Sequence, residues 1–149
     1  MTQNGAAMNS RIKIPVEAEN HALSFIDAFI NKHKKDRLRN KWTRQKNRFI
    51  SMDMLNHIDI GYFRNFTEIN SIEDDIEKRI SPYKHLKCYV FSPNEELDNT
   101  FHDIREAISL LESFPWAFII SVFPGKLAYY RDELSSSLPA RYRFFQVQK

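Results

Sequence analysis

Two runs in this chain are apolar at almost every position, Cys88-Tyr89-Val90-Phe91 and Ala117-Phe118-Ile119-Ile120-Ser121-Val122-Phe123. A strand of that kind must be covered on both faces, which is the condition of a central strand in a layered fold. Between them Phe101, Ile104, Ile108 and Leu111 recur at helical spacing, so the pattern predicts strand, helix over about residues 100–113, and strand, a β-α-β unit. Asp98, Asn99 or Thr100 would cap that helix, and Pro115 would stop it. Pro124-Gly125 suits the centre of a type II turn, which predicts a loop slightly wider than a two-residue hairpin connection. Residues 127–131 should then pair back antiparallel, and the alternation over 141–147 predicts a last strand.

Upstream, Ala22, Leu23, Ile26, Phe29 and Ile30 fall on one face of a helix over about 16–33, with Pro15 near its first turn. Leu38, Trp42, Phe49 and Met52 share a second helical stripe, carried by one helix or by two, the first ending near Trp42 and the second running over 46–57. Residues 62–69 are aromatic and loosely alternating, an edge strand or an extended segment. Asn70 and Ser71, with Glu73 and Asp74 behind them, cap a short helix through Ile72, Ile76 and Ile80 that Pro82 ends. The expected fold is α+β: a mixed sheet of about four strands with 117–123 central, one long crossover helix on one face and the N-terminal helices on the other. Residues 1–14 are polar and aperiodic and read as a flexible tail, leaving 15–149 as a single domain.

Composition narrows the class. Hydrophobic residues at 42% and charged residues at 28% are ordinary for a globular protein, and no apolar run approaches the roughly 20 residues that span a bilayer. The first fifteen residues lack the apolar centre of a signal peptide, and Cys88 is the only cysteine, so a reducing, cytoplasmic setting without a membrane partner is expected. The three glycines are too far apart to form a phosphate-binding loop.

Charge changes the picture more. Between Lys32 and Arg48 there are nine basic residues and one acid, Asp36, although the whole chain carries only +3, so the remainder is net acidic. At 100° per residue Arg37, Lys41, Arg44 and Arg48 align at i, i+4, i+7 and i+11 along the flank of the stripe that holds Trp42. Such an edge suits an acidic protein surface. It also suits a nucleic-acid backbone, with Trp42 as a stacking platform.

Catalytic chemistry finds less support. No two of the five histidines stand at i, i+3 or i+4, and the acids around Asn94 lack the spacing of a calcium loop, so no metal and no cofactor are assigned. Ser92 ends the first apolar strand, where ligands gather in open α/β sheets, and Ser92, Asn94 and Lys126 make a second candidate, a small cleft. Phe91-Ser92-Pro93 lacks the glycines and the N–H of a nucleophile elbow, however, and Asp53 with His57, four apart on a predicted helix, suits an acid-base pair and a surface ion pair equally well. No residue is assigned a catalytic role.

The segment Phe118-Ile119-Ile120-Ser121-Val122-Phe123-Pro124-Gly125-Lys126-Leu127-Ala128-Tyr129-Tyr130, with the basic region and Asn56-His57 before it, resembles a family of short bacterial proteins without an assigned activity. The resemblance spans roughly residues 23–131 and implies no cofactor, substrate or site residue. The residues therefore point to a non-catalytic cytoplasmic interaction module whose basic edge (Arg37, Lys41, Arg44 and Arg48, with Trp42) meets an acidic partner. Sequence-independent nucleic-acid binding is one alternative. A small enzyme or ligand-binding protein using the Ser92 cleft is the other.

Overall fold

In the computed structural model, which describes residues 16–45, 55, 63–79, 86–94, 96–135, 137 and 139–147, the two apolar runs are neighbouring strands near the middle of a six-stranded sheet. The strands are β1 (Phe66–Ile69), β2 (Lys87–Phe91), β3 (Thr100–Asp103), β4 (Phe118–Phe123), β5 (Leu127–Arg131) and β6 (Tyr142–Gln146). Their order is β1-β6-β5-β4-β2-β3, and every neighbouring pair is antiparallel. Four helices accompany them among the described residues: α1 (Val16–Phe29), α2 (Lys32–Gln45), α3 (Ile72–Arg79) and α4 (Ile104–Glu112). The α+β class stands, but the expected mixed sheet of about four strands is corrected to six antiparallel ones.

The predicted β-α-β unit is corrected in an instructive way. Residues 100–103, expected in the first turn of the helix, form the edge strand β3, which pairs Lys87↔Asp103 through Val90↔Thr100. The chain reverses between β2 and β3 at Asn99, whose φ of 60° suits asparagine better than most residues, and the Asn99 N–H donates to the Val90 carbonyl at 2.9 Å. The helix begins three residues later than the predicted caps allow, at Asp103, whose carboxylate accepts the Arg105 N–H at 3.0 Å. Strands β3 and β4 therefore run the same way on either side of β2, joined by α4, which is a β-α-β unit split by an antiparallel strand.

Strand alternation divides the core in two. Tyr89, Phe91, Ile119, Ala128, Tyr130 and Phe145 face α1 and α2, where they pack with Ala22, Phe25, Ile26, Phe29, Leu38 and Trp42. Cys88, Val90, Phe118, Ile120, Val122, Tyr129 and Phe144 face α3 and α4, against Ile72, Ile76, Ile104, Ile108 and Leu111. Helices thus cover both faces, as the apolar runs require.

The connections carry their own polar fixings. Ser71 accepts the Asp74 N–H at 3.2 Å and caps α3, as the spacing predicts. The carbonyls of Asp27 and Ala28, left over at the end of α1, accept from Arg64 Nη2 at 2.6 Å and from Arg64 Nε and Asn65 Nδ2 at 3.2 and 2.9 Å. Pro124 and Gly125 occupy the centre of a turn closed by the Lys126 N–H on the Phe123 carbonyl at 2.9 Å, with a three-residue loop between paired Phe123 and Leu127. The tail over 1–14, the end of the basic region with Lys46 and Arg48, and the Asp53–His57 pair lie outside the described residues.

Candidate functional site

Helix α2 is positioned by two side chains. Leu38 and Trp42, one turn apart, are buried in the core beneath α1, and they fix the rotation of the helix. The remaining positions follow from that rotation. Lys34, Arg37, Lys41 and Arg44 fall on one flank, Lys32, Lys35 and Arg39 on the other, and His33, Asp36 and Asn40 on the crest between them. Lys32, Arg37 and Arg44 are exposed and the other four cations half-buried. Seven cations and a single acid occupy a helix of 14 residues, about 21 Å long. Lys35 Nζ lies 3.2 Å from an Asp27 carboxylate oxygen of α1, so part of the second flank is neutralised within the chain.

Three of the predicted edge residues, Arg37, Lys41 and Arg44, lie on one flank of α2, while Arg48 is outside the described residues. Trp42 does not join them. Its side chain is 1% exposed, and its place in the core corrects the expected stacking platform: the ring face that would meet a base packs against the protein itself.

The second candidate does not come together. Ser92 follows the Phe91↔Ile119 pair at the start of β4, whereas Lys126 follows the Phe123↔Leu127 pair at its far end, roughly 14 Å away along the strand. Ser92 is buried, its hydroxyl accepts the Asn94 N–H at 3.0 Å and its own N–H donates to Asp98 at 2.9 Å. Asn94 Oδ1 in turn accepts the Glu96 N–H at 2.8 Å. Both side chains are spent shaping the turn between β2 and β3.

A polar pair that sequence inspection missed lies in the layer between α1 and the sheet. His21 Nδ1 is 2.7 Å from Ser121 Oγ, the imidazole stacks on Tyr89 with centroids 5.5 Å apart, and Phe101 meets it edge-on. Burial lowers the His21 pKa from 6.5 to about 4, so the ring is neutral at pH 7. The distance is that of a nucleophile and its base, but the two side chains are only 6% and 1% exposed and the serine sits mid-strand, closed to substrate. The single polar position in the apolar run, Ser121, was the available signal. Cys88, facing the other layer, is equally enclosed, and burial pushes its thiol up to about 12, far from a reactive thiolate.

Among the described residues no three His, Cys, Asp or Glu side chains are grouped as they would be around a metal ion, and no helix is long and apolar enough to cross a membrane. No protein-family model, no curated protein and no solved structure matches this chain.

Proposed function

We propose that this chain is a non-catalytic cytoplasmic interaction module that meets an acidic protein surface through α2. The observation that supports the reading is the rotation of α2 by Leu38 and Trp42, which turns Arg37 and Arg44 to solvent along one flank of the helix. A protein partner is preferred to nucleic acid because Trp42, the indole of α2, is in the core and is not offered to a base. The contact is electrostatic in character, with a fast on-rate and strong salt dependence.

The reading is tested with a fluorescent polyglutamate peptide and a DNA duplex of the same length, titrated at low salt against the native chain and the variant R37E/K41E/R44E. Preferential binding of the peptide, weakened at least tenfold in the variant, is the expected result. Equal binding of the peptide by both proteins would reject α2 as the site, and preference for the duplex would transfer the function to nucleic acid.

A further inference from the structure

The two helical layers differ in charge. Helices α1 and α2 carry seven Lys and Arg against Glu17, Glu19, Asp27 and Asp36, while α3 and α4 carry six acids against Lys78, Arg79 and Arg105. On the acidic side an open slot of about 160 Å³ runs between α3 and α4, lined by Glu73, Ile76, Arg105, Ile108, Ser109 and Glu112. Its floor is apolar, since Ile76 and Ile108 are buried, and its walls are carboxylates. Among the described residues Arg105 is the one cation that lines the slot, held by Glu77, and Glu112 already takes Arg131 Nη1 at 3.4 Å and the Tyr142 hydroxyl at 2.9 Å on its Oε1, so Glu73 is the carboxylate an incoming cation would meet first. The slot is well below the roughly 300 Å³ at which sites for drug-sized ligands begin. An apolar floor under carboxylates suits one long basic side chain, which lays its methylene stem on isoleucine and presents its charge to glutamate.

We propose that the occupant is α2 of a second copy of this chain, so that copies associate head to tail. The inference rests on the reading of α2 as a binding surface and names its partner. The charge asymmetry supplies the complementarity. The sheet lies between the two layers, so α2 cannot reach the slot of its own chain and must take that of another. Because the donor and acceptor surfaces differ, the contact is heterologous, and one chain can engage two others at once. Its outward face is polar throughout, Leu38 and Trp42 being committed to the core, so the association is weak and is suppressed by salt.

Charge reversal with cross-complementation tests this. Variant R37E/K41E/R44E loses the basic face and keeps the slot, whereas E73K/S109K fills the slot and keeps the basic face. Sedimentation of the native chain should give a mass above the monomer that rises with concentration at about 0.05 M salt and falls to the monomer at about 0.5 M. Each variant, with native far-ultraviolet circular dichroism, should be monomeric, and an equimolar mixture should associate again. A native chain that stays monomeric at its solubility limit in low salt, a slot variant that assembles like the native chain, or a mixture of folded variants that fails to pair would each overturn the proposal. A monomeric native chain that still binds polyglutamate through α2 sinks only the self-association. Polyglutamate binding that survives in R37E/K41E/R44E sinks the α2 reading beneath it.

Discussion

The imidazole of His21 on α1 reaches through the core to Ser121 of β4, Nδ1 to Oγ at 2.7 Å, and stays neutral there because burial opposes its protonation. In the unfolded chain the same ring takes up a proton near pH 6.5. The unfolded state therefore binds more protons below that value, and folding stability must fall as the pH drops from 6.5 toward 4. Between pH 7 and pH 5 the loss from this one group is about 2 kcal/mol. Urea unfolding at the two pH values should show it in the native chain, and His21→Gln should remove that part of the slope while the carboxylate contribution below pH 5 remains.

Arg143 of β6 is buried between the rings of Phe66 and Tyr130, 5.3 and 5.4 Å from their centroids. Asp132 provides a compensating charge, with its Oδ1 3.6 Å from Nη1, and none of the three guanidinium nitrogens makes a hydrogen bond among the described residues. Removing the anion leaves a buried cation uncompensated. Asp132→Ala should cost about 3–5 kcal/mol in denaturant unfolding, part of it through the lost 2.7 Å contact with Arg141. Arg143→Met, which removes the buried charge and keeps apolar volume, should be far milder, and in that background the cost of Asp132→Ala should shrink by half or more.

Gly125 holds φ at 69° in the turn between β4 and β5, and a Cβ built there would stand 3.0 Å from Ser24 Cβ and 3.3 Å from the Ser24 carbonyl oxygen. Backbone conformation and close approach to α1 act together. Gly125→Ala should lower stability by about 1–3 kcal/mol. A thermal melt that leaves the midpoint unchanged would contradict this packing of the hairpin on α1.

The two tryptophans sit in opposite environments, Trp42 in the core and Trp116 39% exposed and stacked on Phe114 at 5.1 Å. Iodide should quench only part of the native emission. In Trp116→Phe the remaining fluorescence should be blue-shifted and resist quenching, and Trp42→Ala should cost about 3–5 kcal/mol by emptying the site that seats α2.

What could be read from sequence depended on how local the deciding interaction was. The runs containing Val90 and Ile120 announced central strands because burial on both faces leaves them apolar but for Ser121, and the Ser71 cap of α3 followed from the acids after it. The rotation of α2 followed from Leu38 and Trp42, although whether the indole faced core or solvent did not. Phe101 misled, since its spacing to Ile104 and Ile108 fits a helix while its partner is Tyr89 across the β2–β3 ladder. The Asp103 and Glu106 pair was the missed capping signal. Strand order was not legible, because β1 pairs with β6 across more than seventy residues and short edge strands carry little periodicity. Nor were the His21–Ser121 contact and the acidic slot, which exist only once α1 meets β4 and α3 meets α4.

That same distant pairing gives assembly of the sheet a direction. The β4–β5 hairpin closes over a three-residue loop, at small entropic cost, while β1, among the described residues, pairs with β6 alone, across the longest separation in the sheet. The four residues of β1 are therefore the last to be locked in and the first to come loose under stress, and the Arg64 clamp on the end of α1 loosens with them.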